Sequence, residues 1–281
     1  MKAIKKPILA ILVFCLMQIL APIIVQVIAR LTGEIPSSPN DASNLIEHTY
    51  QLALALIISG MLTVVILYYM NMIKRKGLVS RFRSVDWEHA PLAITAAIMG
   101  IIVLDLLSEY VNAPDLMQPV FMRLAENKLG VLALVFVAPI VEELVFREGV
   151  LGYLRRHEIG TWTAIISSSL AFALLHFNPA QIPFAFVMGI MLGYIYVKTS
   201  SIIITSIIHI INNLLATLEM RYFDGSIQLH EILGSPLMNI FYILVCTFMC
   251  FLFMREFKRK YHRKHIHAGN HSSHPNKPKR V

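Results

Sequence analysis

Long apolar blocks alternate with short polar breaks along almost the whole chain. The blocks cover approximately residues 7–29, 50–72, 90–108, 129–152, 161–178, 183–197, 201–217 and 236–254. At about 1.5 Å of rise per residue, about 20 apolar residues cross a hydrocarbon core of roughly 30 Å. Each block therefore predicts a membrane-spanning helix. The fifth, sixth and seventh are short enough to require tilt, a break or shielding by neighbours. The predicted fold class is all-α: a polytopic membrane helical bundle with eight transmembrane segments.

The polar breaks carry an alternating charge pattern. Lys2, Lys5 and Lys6 precede the first block; Lys74, Arg75, Lys76, Arg81 and Arg83 follow the second; Arg155 and Arg156 follow the fourth, and Lys198 follows the sixth. The other breaks hold Glu34, Asp41 and Glu47, then Glu109, Asp115 and Glu126, then Glu219, Asp224 and Glu231. By the positive-inside rule, both termini of an eight-span path face the cytoplasm of a bacterial plasma membrane. The first block is long and lacks a small-residue cleavage site, so it reads as a retained signal anchor. Residues 31–48, with Pro36 and Pro39, read as an extramembrane connection.

Composition agrees with this pattern. Of 281 residues, 56% are hydrophobic and 15% charged, and the mean hydropathy is +0.63, which argues against an ordinary soluble domain. The formal charge of +8 lies in loops and tail, where it sets topology and attracts anionic lipid; no nucleic-acid partner is expected. The predicted division is a helical membrane domain over 1–254 and a basic tail over 255–281. The tail holds His262, His265, His267, His271 and His274, a solvated surface tract with no rigid metal geometry. Cys15, Cys246 and Cys250 all fall in apolar blocks and read as packed thiols.

Ionisable groups inside a span are costly, at roughly 2.5–3.5 kcal/mol each. The fourth block nevertheless contains Glu142, Glu143 and Arg147 in APIVEELVFREGV. The four-residue spacing lets Arg147 compensate Glu143 on one helix face, leaving Glu142 for proton transfer. An ion-paired helix interface explains Glu143 with Arg147 equally well, but not the additional carboxylate. The fifth block places Phe172 four residues before His176, and Asn178 and Pro179 can end that helix. In the seventh, His209 and Asn213 share a face; a polar contact between helices is the simpler account of that pair alone. Asp105 reads as hydration of a helix interface, Ser167 to Ser169 as packing or hydrogen-bonding residues, and Gly189 with Gly193 as a close helix contact.

The three polar blocks, in this order, resemble the CPBP membrane protease family, also called the CAAX protease and bacteriocin-processing or Abi family. The resemblance covers about residues 129–217. It implies peptide-bond hydrolysis, with Glu142 and His176 activating water, His209 and Asn213 stabilising the oxyanion, and Glu143, Arg147 and Phe172 in support. It implies no cofactor, although zinc remains an alternative that the histidines and carboxylates admit; HExxH is absent from the sequence. The implied substrate is a membrane-associated peptide or protein, and nothing in the residues identifies a prenyl pocket. Two other classes stay open: a non-proteolytic membrane immunity or binding protein on the same scaffold, and a transporter, for which no inverted repeat is evident.

Overall fold

In the computed structural model the chain is a bundle of helices with no strand among the described residues, which are 2–31, 42–73, 78–111, 113–223 and 234–272. Most of the predicted loop 31–48 lies outside them, as do Glu34, Asp41, Lys74, Arg75, Lys76, Asp224, Glu231 and His274. The helices are α1 (Lys2–Leu31), α2 (Ala42–Tyr69), α3 (Leu78–Arg83), α4 (Ala90–Ser108), α5 (Gln118–Glu126), α6 (Lys128–Arg156), α7 (Thr161–Leu174), α8 (Ile182–Thr199), α9 (Ile202–Phe223) and α10 (Pro236–Ser272).

Seven of these are long and apolar enough to cross a membrane, and the chain is an integral membrane protein. The expected eighth, over 161–178, is the apolar helix α7 of 14 residues, about 21 Å long at the α-helical rise. It stops early for a local reason. Leu175 and His176 form a turn, and Phe177 after them adopts the left-handed conformation with φ 49°, which an L-residue cannot repeat along a helix. At the other end of the chain α10 runs past residue 254 as far as Ser272.

Two apolar clusters hold the bundle together. One joins α1, α2, α6, α7 and α8 through Phe14, Leu67, Phe146, Leu151, Ile165 and Phe172. The other joins α4, α8, α9 and α10 through Ala97, Leu192, Ile204, Ile208 and Phe257. Helix α8 contributes several residues to both, and α9 adds Ile202 to the first, so these two helices link the clusters. The contact of α8 with α7 is close because Gly189 and Gly193 face Ser169 and Ile165, as small residues allow between membrane helices.

A methyl group on Gly189 would stand 2.9 Å from the Ser169 Cβ and 3.2 Å from its Cα. Gly189→Leu is therefore expected to separate α7 from α8 and cost about 1–3 kcal/mol, read as a lower midpoint of SDS-induced unfolding. Gly160→Ala is the control, because its added methyl meets nothing nearer than 3.6 Å; its midpoint stays at the wild-type value.

Candidate active site

Helix α6 is not a regular α-helix. It contains two π-helical stretches, Ala133–Val137 and Glu143–Leu151, with α-helical turns between and around them. Pro139 accounts for the first. A proline inside a helix has no N–H to give and its ring crowds the preceding turn, and a wider turn before it relieves that crowding. The Ala138 N–H then donates to the Ala133 carbonyl, five residues back. Leu134 is thereby orphaned: its α-helical donor, Ala138, is taken, and its π-helical donor would be Pro139, which has none.

Asn213 repairs that defect. Its Nδ2 donates to the Leu134 carbonyl at 2.9 Å, and its Oδ1 accepts from Asn212 Nδ2 at 3.2 Å. One Asn213 N–H is therefore committed to the scaffold, and the second remains for chemistry. A similar cross-helix bond runs from Ser168 Oγ to the Phe146 carbonyl at 2.7 Å, inside the second π stretch. Wide turns of this kind concentrate at functional sites.

The second π stretch carries the charges. Glu143 and Arg147 are both wholly buried, with Glu143 Oε2 3.2 Å from Arg147 Nε. Arg147 also lies over the Phe172 ring, its guanidinium carbon 4.8 Å from the centroid, a favourable cation–π placement. Among the described residues its guanidinium nitrogens have no hydrogen-bond partner, so Coulomb attraction and the ring face hold it. Glu142, one residue earlier, is 19% exposed at its side chain. Of the two neighbouring carboxylates, Glu142 is the one that small molecules can reach.

His209 joins both glutamates from α9. Its Nδ1 lies 3.1 Å from Glu143 Oε1 and its Nε2 lies 3.5 Å from Glu142 Oε2. His176 approaches from the end of α7, where its Nδ1 donates to the Phe172 carbonyl at 2.9 Å. That bond fixes the tautomer and leaves Nε2 as an acceptor. Phe172 stands between the two imidazoles, edge-on to His176 at 4.8 Å and to His209 at 5.6 Å between centroids. Glu142, Glu143, Arg147, Phe172, His176 and His209 thus form one connected group. Within it Glu142 makes its ion pair with His209 and not with His176.

One participant went unnoticed in the sequence. Glu148 is wholly buried beside Arg147, and Arg81 of α3 grips it with both terminal nitrogens, the second at 3.2 Å. Glu148 was visible as one more charge in an apolar block; Arg81 stands 67 residues away in a polar break. Asp105 falls outside the group, near Glu109 and Glu219 where α4 and α9 end.

The donors do not converge as metal ligands do. His209 turns a different ring nitrogen to each glutamate, so Glu142, Glu143 and His209 do not aim their lone pairs at a common point. Among the described residues, the donors that do converge are Asp86, Glu88 and His89 before α4. There the His89 Nδ1 is already paired with Asp86 at 2.9 Å.

Residues 125–215 match the protein family described as type II CAAX prenyl endopeptidase Rce1-like. Over that stretch the chain is similar to the CPBP, or CAAX protease, family. The CPBP segment contains α6, α7, α8 and the part of α9 that bears His209 and Asn213. No curated protein and no solved structure matches the chain. The matched description, that of an endopeptidase, thus falls on the helices that carry the polar group.

The Leu134 carbonyl offers a direct test of the scaffold. Asn213→Leu is expected to destabilise the protein by about 1–3 kcal/mol, the cost of a buried polar group left without a partner. In a Pro139→Ala background the loss shrinks, because an alanine at that position supplies the missing N–H. A double-mutant cycle on SDS unfolding midpoints measures the coupling; additive losses would refute this account of the π-turn.

Proposed function

We propose that this protein is an intramembrane endopeptidase that hydrolyses a peptide bond in a membrane-associated peptide or protein. The observation that carries the reading is a partly accessible carboxylate, Glu142, held 3.5 Å from the Nε2 of a buried histidine on a different helix. Similarity to the CPBP family over the same helices supports it.

The pairing pattern supports the roles. Glu143 faces Arg147 and Glu148 faces Arg81, whereas Glu142 faces His209. His209 turns Nδ1 to Glu143 and Nε2 to Glu142, and in this mechanism both ring nitrogens carry a hydrogen. Glu142 is then an ionised base next to a cationic donor.

In this mechanism a water lies between Glu142 and His176. It gives one proton to the Glu142 carboxylate, while the free Nε2 of His176 accepts its second hydrogen as a hydrogen bond and orients it. The water oxygen adds to the substrate carbonyl carbon, and the carbonyl π electrons move to the oxygen. His209 Nε2–H and the second Asn213 N–H stabilise that oxyanion. The formal charge of the cluster and substrate together is unchanged, because one negative charge moves from Glu142 to the oxyanion. When the tetrahedral species collapses, the C–N bond breaks and Glu142 returns its proton to the leaving amine.

The site chemistry implies a setting. We assign α7 as an eighth crossing, shielded by α6 and α8, which puts both termini on the cytoplasmic face of a bacterial plasma membrane. Basic connections and tail then meet anionic lipid. Reporter fusions at the two termini are expected to give the same cytoplasmic signal. Opposite signals would mean an odd number of crossings.

Cleavage itself is tested with purified protein in a membrane mimetic, a membrane-peptide library and mass spectrometry. Glu142→Gln is expected to lower cleavage by about 10²–10⁴-fold, the usual contribution of a general base, with the fold intact. Strict metal removal is expected to leave the rate unchanged. Undiminished cleavage by folded Glu142→Gln sinks the assignment, and loss on metal removal with recovery on adding zinc supports the metal-dependent alternative. Biological activity that survives Glu142→Gln without cleavage favours the binding or immunity protein.

A further inference from the structure

We propose that Asp115, in the connection between α4 and α5, is a positioning residue for the His176 imidazole. The inference rests on the catalytic reading of His176 for its functional consequence, but not for its geometry. Asp115 lies ten residues before the family segment begins, and its side chain connects to the site through Asn178 and the intervening Phe177.

Asp115 Oδ1 accepts three hydrogen bonds: from the Met117 N–H at 3.0 Å, the Gln118 N–H at 2.8 Å and Asn178 Nδ2 at 2.8 Å. Asn178 Oδ1 accepts in return from the Leu116 N–H at 3.1 Å. The two segments therefore clamp each other through reciprocal bonds. Asn178 is wholly buried, and its own carbonyl accepts the Gln181 and Ile182 N–H groups where α8 begins. It is the junction between α7, α8 and the α4–α5 connection.

One residue separates that junction from His176. It is Phe177, held at φ 49° with its side chain 70% exposed. A left-handed conformation disfavours a non-glycine residue, and the exposed Phe177 ring packs little against the described residues. The constraint must come from its flanks. On one side His176 is tied to the Phe172 carbonyl; on the other Asn178 is tied to Asp115. Without the clamp the turn can relax toward an ordinary conformation, and the imidazole swings with it. Displacements of about 1 Å are enough to cost on the order of 100-fold in rate.

All three bonds converge on one oxygen, which makes the proposal separable from a charge effect. Asp115→Asn keeps that oxygen and discards the charge; Asp115→Ala discards both. The full chain is purified in a membrane mimetic with labelled histidine, and the His176 ring resonance is assigned by its disappearance in His176→Gln. Cleavage of a peptide found by the library screen is followed in parallel.

Asp115→Ala is expected to shift or broaden the His176 resonance and to lower kcat about 10- to 100-fold with KM little changed. Asp115→Asn is expected to stay within about twofold of wild type in kcat, with its His176 resonance in place. If Asp115→Ala fails to fold, Asp115→Glu takes its place, because the longer side chain cannot hold its oxygen at the same point. An unchanged resonance in the folded variant, or an Asp115→Asn protein as impaired as Asp115→Ala, overturns the proposal. A wild-type protein that cleaves nothing, while the resonance still responds to Asp115→Ala, sinks the hydrolase reading and upholds the clamp.

Discussion

Charges can be kept inside a bilayer only if they are compensated where they stand, and that requirement organises the centre of this protein. Glu143 and Arg147 share a helix and compensate each other at 3.2 Å with no exposure. Glu148, next in line, draws Arg81 in from α3. Glu142 is left with His209, at 3.5 Å the longest of the three pairings. The two arginine pairs fix the helix, and the histidine pair is the one with access to the outside.

Hydrogen bonding adds a second layer to the same design. The π stretches of α6 withdraw backbone groups from their usual partners, and side chains of α7 and α9 fill the openings. Asn213 and Ser168 consequently join the helices by bonds that a regular α6 would not offer. The site is therefore built into the irregularity of the helix and not simply displayed on its surface.

Much of this was legible beforehand. Spans follow from runs of apolar residues, and seven of the eight predicted blocks coincide with long helices. The Glu143 and Arg147 pair follows from four-residue spacing, and burial of both agrees with it. The π stretches were not legible, because five or nine residues of sequence look alike in either helical register; only Pro139 hinted at the first of them. The shortness of α7 was hidden for a related reason, since residues 175–177 offer no glycine or proline to mark a stop and the left-handed turn depends on a distant clamp. Arg81 and Asp115 looked like ordinary loop charges, and nothing local announces a partner more than sixty residues away.

The Leu134 carbonyl also bears on the order of assembly. Helix α6 is made before α9, yet it lacks the donor that α9 brings in Asn213. Until that later helix arrives, a peptide oxygen in the middle of a span has only water or the translocation machinery to satisfy it. The early part of the chain therefore cannot reach its final register by itself. Completion waits for the seventh apolar block of the sequence to enter the bilayer beside it.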